Sequence, residues 1–111
     1  MSTPLDYRVT LYGAVVETAQ ALIDGKLGAV EASRTFVGLA AELDALEDED
    51  FRFFVGVDQE SDHFPLEPVR GRWSAEALGR EDAARNAYES TVREEAVARC
   101  LNLVQKYAAV E

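Results

Sequence analysis

Residues 75 to 109 repeat apolar side chains at steps of three and four, and this stretch constrains the fold more than any other. As one helix it would run about 52 Å at roughly 1.5 Å per residue, whereas a compact chain of this size has a radius of gyration of only about 13 Å. Either Gly79 breaks the helix or part of it reaches beyond the core. In the second half, Val92, Ala96, Val97, Cys100, Leu101, Leu103, Val104, Tyr107 and Ala108 are expected to face inward. Glu94, Glu95, Arg99, Asn102, Gln105 and Lys106 are expected to face out. The steps Val97, Leu101, Val104, Ala108 define the expected buried face, with Cys100 and Leu101 in the core. Ser74 is placed to cap the N–H of Glu76 or Ala77, with Glu76 in the first turn.

Upstream, Leu5, Val9, Tyr12, Val16, Ala19 and Ile23 share one helical face, flanked by Leu11, Val15 and Leu22. Gly25 follows the last periodic residue, where a left-handed cap is expected. After a short connection, Ala29, Ala32, Phe36, Leu39, Ala40 and Leu43 form a second stripe that ends near Leu46. So short a link makes the two helices antiparallel neighbours. Gly38 is read as allowing their close approach. The run Phe51–Val57 reads as a short helix capped by Asp48 or Asp50, because a single strand in a helical chain would have nothing to pair with. From Asp58 to Arg72, Pro65, Pro68 and Gly71 mark a loop. The expected fold is all-α, one domain over residues 1 to 111, a small bundle of three to four helices with a long C-terminal helix.

Composition supports one folded domain, since 48% of residues are hydrophobic and 29% charged. The lone Cys100 forms no internal disulfide and builds no thiolate zinc site. No apolar run is long enough to span a membrane, and Met1 to Asp6 lacks the pattern of a secretory signal, so the expected compartment is the cytoplasm. Charge is more informative. The chain carries 11 Lys and Arg against 21 Asp and Glu, a net −10. Ten of those acids and only Arg52 among bases fall between Glu42 and Glu67. Such a field repels nucleic acid and attracts a basic partner.

Residues 54 to 66 place Asp58, Glu60 and Asp62 at alternating positions beside the only histidine, His63. An EF-hand reading fails, because His63 stands where the loop needs glycine and Val69 where it needs a bidentate acid. A site for a transition metal would use His63 with Asp58, Glu60 or Asp62, but no second nitrogen or sulfur ligand is at hand. Ser61 lies in no nucleophile elbow, and no glycine-rich phosphate loop occurs. Asp58 and Asp62 also suit turn capping, and Trp73, beside Arg70 and Arg72, suits a loop anchor. No cofactor is implied.

The segment Asp50-Phe51, Phe53-Phe54-Val55-Gly56-Val57-Asp58, Glu60-Ser61-Asp62-His63-Phe64-Pro65-Leu66, with Val69-Arg70 and Trp73 after it, resembles a group of short bacterial proteins of unknown function. The resemblance covers about the central and C-terminal two-thirds. It implies a bacterial cytosolic origin and a helical fold, and it supplies no activity.

The functional expectation is a small acidic interaction module that binds a basic protein, in its sharpest form an inhibitor or immunity-type protein without catalysis of its own. Asp58, Glu60, Asp62, His63, Phe64, Arg70 and Trp73 are its candidate binding residues, with the aromatics as anchors. The alternative is a small metal-dependent or acid/base enzyme built on Asp58, Glu60, Asp62 and His63. An acidic mimic of nucleic acid is a third reading. A homodimer is also expected, through the Ala-rich strip Ala83, Ala84, Ala87 and Tyr88 that an unbroken helix would project past the core.

Overall fold

A computed structural model describes residues 4–64, 71 and 73–108. They form four helices and no strand: α1 (Pro4–Ile23), α2 (Ala29–Glu42), α3 (Glu49–Glu60) and α4 (Ala75–Ala108). Four of the helix boundaries have a local chemical cause. Gly25 takes a φ of 78° after α1, and Lys26 N–H reaches back to Ala21 C=O at 2.9 Å while Gly25 N–H bonds Leu22 C=O at 3.0 Å. This pair of bonds is a Schellman cap, and glycine enters its left-handed position without a Cβ penalty. Asp44, with a φ of 55°, ends α2 in the same way: Ala45 N–H bonds Ala40 C=O at 2.8 Å. Asp48 starts α3, its carboxylate accepting the Asp50 N–H at 2.9 Å. Ser74 starts α4, its hydroxyl accepting the Ala77 N–H at 3.1 Å.

Consecutive helices run antiparallel. Tyr7 and Arg8 at the start of α1 bond Glu42 and Leu43 at the end of α2. Asp48 and Glu60 at the two ends of α3 meet Lys106 and Tyr88 of α4. Tyr12 stacks at 5.5 Å on Tyr107, while Arg93 reaches Leu22 and Ile23, so α4 lies antiparallel to α1. The core joins the helices through aromatic rings. Phe36 of α2 sits 4.6 Å from Phe54 and 5.9 Å from Phe51 of α3, and Phe51 continues to Tyr107 at 5.8 Å. Phe36, Phe51 and Phe54 are fully buried, and truncating any of them to alanine removes about 3–5 kcal/mol.

Helix α4 is continuous through Gly79, so the break does not occur. Its 34 residues make it the longest element of a molecule whose extents are 47 × 32 × 24 Å. Leu103, Ala96 and Cys100 are buried, but Leu101 is 49% exposed, which corrects its expected place in the core. The buried line runs Ala96, Cys100, Leu103, with Tyr107 packed behind it. That line is one residue, about 100°, away from Val97, Leu101, Val104 and Ala108. Two parallel stripes fit the same spacing, and only packing selects between them. In α1 the same thing happens: Leu11, Val15, Ala19 and Leu22 are buried, while Val9 is 39% exposed and Val16 half-buried. The Leu5 side chain lies outside the described residues. Gly38 is exposed with nothing within 4 Å of an added Cβ, so it serves no close approach. Arg99, expected to face solvent, is instead turned into α3.

Candidate functional site

The acidic segment divides between a helix and a turn. Helix α3 continues to Glu60, so Asp58 and Glu60 are helical residues and the loop begins only at Ser61. Ser61 is buried; its hydroxyl donates to Val57 C=O at 2.6 Å. Arg34 of α2 donates to the Ser61 and Phe64 carbonyls at 2.8 and 3.3 Å, and pairs with Asp58 at 3.5 Å. A cation at a helix C-terminus offsets the dipole and occupies carbonyls that the helix leaves unbonded. Asp58 is thereby committed to an internal ion pair. Glu60 accepts a hydrogen bond from the Tyr88 hydroxyl at 3.2 Å. Burial first, then the nearby Glu60 charge, pushes the Tyr88 phenol up to about 12. Asp62 and His63 are exposed, and the His63 ring lies 4.1 Å from Phe64.

Phe64 is only 6% exposed, so it supports the turn and offers no free anchor to a partner. Trp73 is 39% exposed, which corrects its expected role as a loop anchor packed into the core. Arg70 lies outside the described residues, as does Arg72. Among the described residues, no group of three or more His, Cys, Asp and Glu stands close enough to hold a metal ion. Asp58 and Glu60 are therefore brought to one end of α3 but bond different internal partners, Arg34 and Tyr88.

The other end of α3 holds a different arrangement. Asp50 is 5% exposed and accepts hydrogen bonds from Arg99 and Asn102, both at 3.2 Å. Lys106 bonds Asp48 and lies 3.5 Å from Asp50. Burial alone would raise the Asp48 carboxyl, but the Lys106 hydrogen bond and the Asp50 N–H hold it below the ordinary carboxylate value. The Asp48 hydrogen bond in turn raises the Lys106 ammonium. Arg99 also pairs with Glu95 at 3.0 Å and Glu49 at 3.3 Å. Beside this network, Glu47, Glu49, Arg52, Phe53, Glu95 and Arg99 line an open groove of about 500 Å³.

A second hollow, of about 200 Å³, lies where α4 crosses the α1–α2 turn. Gly28 precedes α2 without a side chain that can cap it, and Glu89 of α4 supplies the missing acceptor, taking the Val30 N–H at 2.9 Å. Arg85 lies 3.9 Å from the same carboxylate. One turn further on, Arg93 donates to the Leu22 and Ile23 carbonyls at 3.4 and 3.5 Å. The two helix ends that meet at the α1–α2 turn are thus both bonded from α4. Sequence reasoning missed Glu89, Arg93 and Arg34; the signal for Glu89 was Gly28 itself, an N-terminal position without a capping side chain.

Compared with family models, with curated proteins and with solved structures, the chain matches none of them.

Proposed function

We propose that the chain is a small acidic interaction module that binds a basic partner protein along α3 and the facing side of α4. The observation that carries this reading is the open groove at the start of α3, where Glu47, Glu49 and Glu95 outnumber Arg52 and Arg99 around the half-buried Phe53 ring. Asp48 and Asp50 are already matched by Lys106, Asn102 and Arg99, so they act as a rigid base for the groove. The rim acids are more exposed; Glu49 and Glu95 share Arg99 at 3.3 and 3.0 Å, and the Phe53 ring gives a partner apolar surface beside Glu47. With ten acids and one base between Glu42 and Glu67, the field around α3 speeds encounter with a positive surface. The Asp58, Glu60 and His63 arrangement does not favour catalysis, since Asp58 and Glu60 are bound to Arg34 and Tyr88 while His63 lies against Phe64.

The test is capture from the native host by the immobilised chain, followed by identification of the bound protein. The expected partner is basic, elutes with salt, and is lost when Glu47, Glu49 and Glu95 are together replaced by lysine. A partner that binds the triple variant equally well, with circular dichroism showing the fold intact, sinks the reading.

A further inference from the structure

We infer that the hollow between α4 and the α1–α2 turn binds a small zwitterion, an α-amino acid with a short aliphatic side chain. Leu22, Leu27, Ala29 and Ala96 give the hollow its apolar wall, and Glu89 and Arg93 of α4 add one charge of each sign. A glutamate and an arginine four residues apart on a helix are neighbours, with about 5–6 Å between their Cβ atoms, and can pair directly. Glu76 with Arg80 and Glu95 with Arg99 do so on this same helix, at 3.2 and 3.0 Å. Glu89 and Arg93 have the same spacing but do not pair. Glu89 reaches across to α2 and Arg93 to α1, which leaves the two charges apart on the wall of the hollow.

These bonds leave both charges with capacity to spare. A carboxylate offers about four acceptor positions, and Glu89 uses one, at Oε2, for the Val30 N–H. Its Oε1 lies 3.9 Å from Arg85 Nε, beyond hydrogen-bond reach, and that buried Nε has no hydrogen-bond partner. A guanidinium offers about five donors. Arg93 commits two of them, at 3.4 and 3.5 Å, both near the limit of a hydrogen bond. A ligand ammonium is thus accepted by Glu89 Oε1 while a ligand carboxylate accepts from Arg93, each bond assisted by charge.

Charge and size select the ligand. Asp82 shares Arg85 with Glu89, so two acids stand against Arg85 and Arg93 and the local charge is zero. A ligand with no net charge keeps that balance, whereas a simple amine or a simple acid leaves one of the two charges unbonded. An apolar cavity of about 150 Å³ takes benzene, so the hollow of about 200 Å³ takes roughly eight non-hydrogen atoms. Valine has that size. Its isopropyl group covers the apolar wall while the two charged groups meet Glu89 and Arg93. Glycine leaves the wall wet, and an aromatic amino acid is too large.

The test is a nuclear magnetic resonance titration of the whole chain with L-valine, isobutylamine and isovalerate. The two controls keep the isopropyl group and each lacks one charge. For L-valine the expected dissociation constant is on the order of 1 mM, so titration to about 50 mM saturates the site. The expected result is saturable movement of the Gly25, Gly28 and Ser90 amide signals with L-valine, and binding at least about tenfold weaker for each control. Glu89→Gln keeps an oxygen for the Val30 N–H but loses the charge. It and Arg93→Gln should each weaken L-valine by the same margin, with circular dichroism unchanged. The comparison of ligands on the wild-type chain decides the matter even where a variant does not fold. No saturable movement with L-valine, movement confined to signals outside the hollow, a control that binds as tightly as L-valine, or full affinity in either folded variant overturns the proposal.

Discussion

Glu89 Oε2 accepts the Val30 backbone N–H at 2.9 Å across 59 residues of sequence. This bond replaces a local cap for α2, and Gly28 is the residue that makes room for it. A Cβ at position 28 would collide with the Glu89 carboxylate, which is the end of a flexible side chain and would swing away. Glu89→Ala is expected to cost about 1 kcal/mol, within the range of about 0.5–2 kcal/mol for lost N-caps. Gly28→Ala is expected to cost about as much, by displacing the same carboxylate. The two effects share one cause, so in urea unfolding the Gly28→Ala cost should fall by at least about 0.5 kcal/mol in the Glu89→Ala background. Fully additive costs would show that Gly28 acts independently of the cap.

Leu103 and Leu101 test which stripe of α4 belongs to the core. Leu103 is fully buried, and Leu103→Ala should cost about 2–5 kcal/mol. Leu101 is 49% exposed, and Leu101→Ala should cost less than about 1 kcal/mol. Unfolding free energies in the opposite order would return Leu101 to the core.

Asp48 and Lys106 predict a stability that is limited on both sides of pH. Asp48 titrates below its ordinary value in the folded chain, so its contribution is complete above the unfolded pKa and disappears as pH falls through the folded one. Lys106 titrates above its ordinary value, so its contribution is complete below the unfolded pKa and disappears as pH rises through the folded one. Lys106→Ala should therefore lower the urea midpoint near neutrality. The difference from wild type should shrink below about pH 4 and above about pH 10.5. A difference that stays constant across this range would assign the effect to packing of the lysine stem.

Cys100 should be inert in the folded chain. Burial first, and the Asp50 charge second, push its thiol up to about 12, and the side chain has no exposed surface. Labelling with an aromatic disulfide at pH 8 is expected to run at least about 100-fold slower than in urea, because the thiolate is the reactive form. Equal rates would show that α4 opens locally around Cys100.

The helices were legible because their caps and stripes are local. Gly25, Asp48 and Ser74 mark ends by rules that operate within a few residues, and each takes its expected place. The choice between Leu101 and Leu103 was not legible, since α1 and α4 each carry apolar residues over more than half a turn. Which stripe is covered depends on the angle of the neighbouring helix. The candidate turn was placed at the right end of α3, but its meaning lay in Arg34, 24 residues from its partner Asp58, and Tyr88, 28 residues from its partner Glu60. Single-sequence spacing carries no information about such partners.

The capping of the α1–α2 hairpin by Glu89 and Arg93 also orders events during synthesis. At about 5–20 residues per second, Glu89 emerges roughly 3–12 seconds after Val30. Throughout that interval the first turn of α2 has only water for its N–H groups, and the end of α1 has only its own glycine turn. Nascent chains halted before position 89 should therefore hold a hairpin that frays at its hinge, and elongation past Arg93 is the step that locks it.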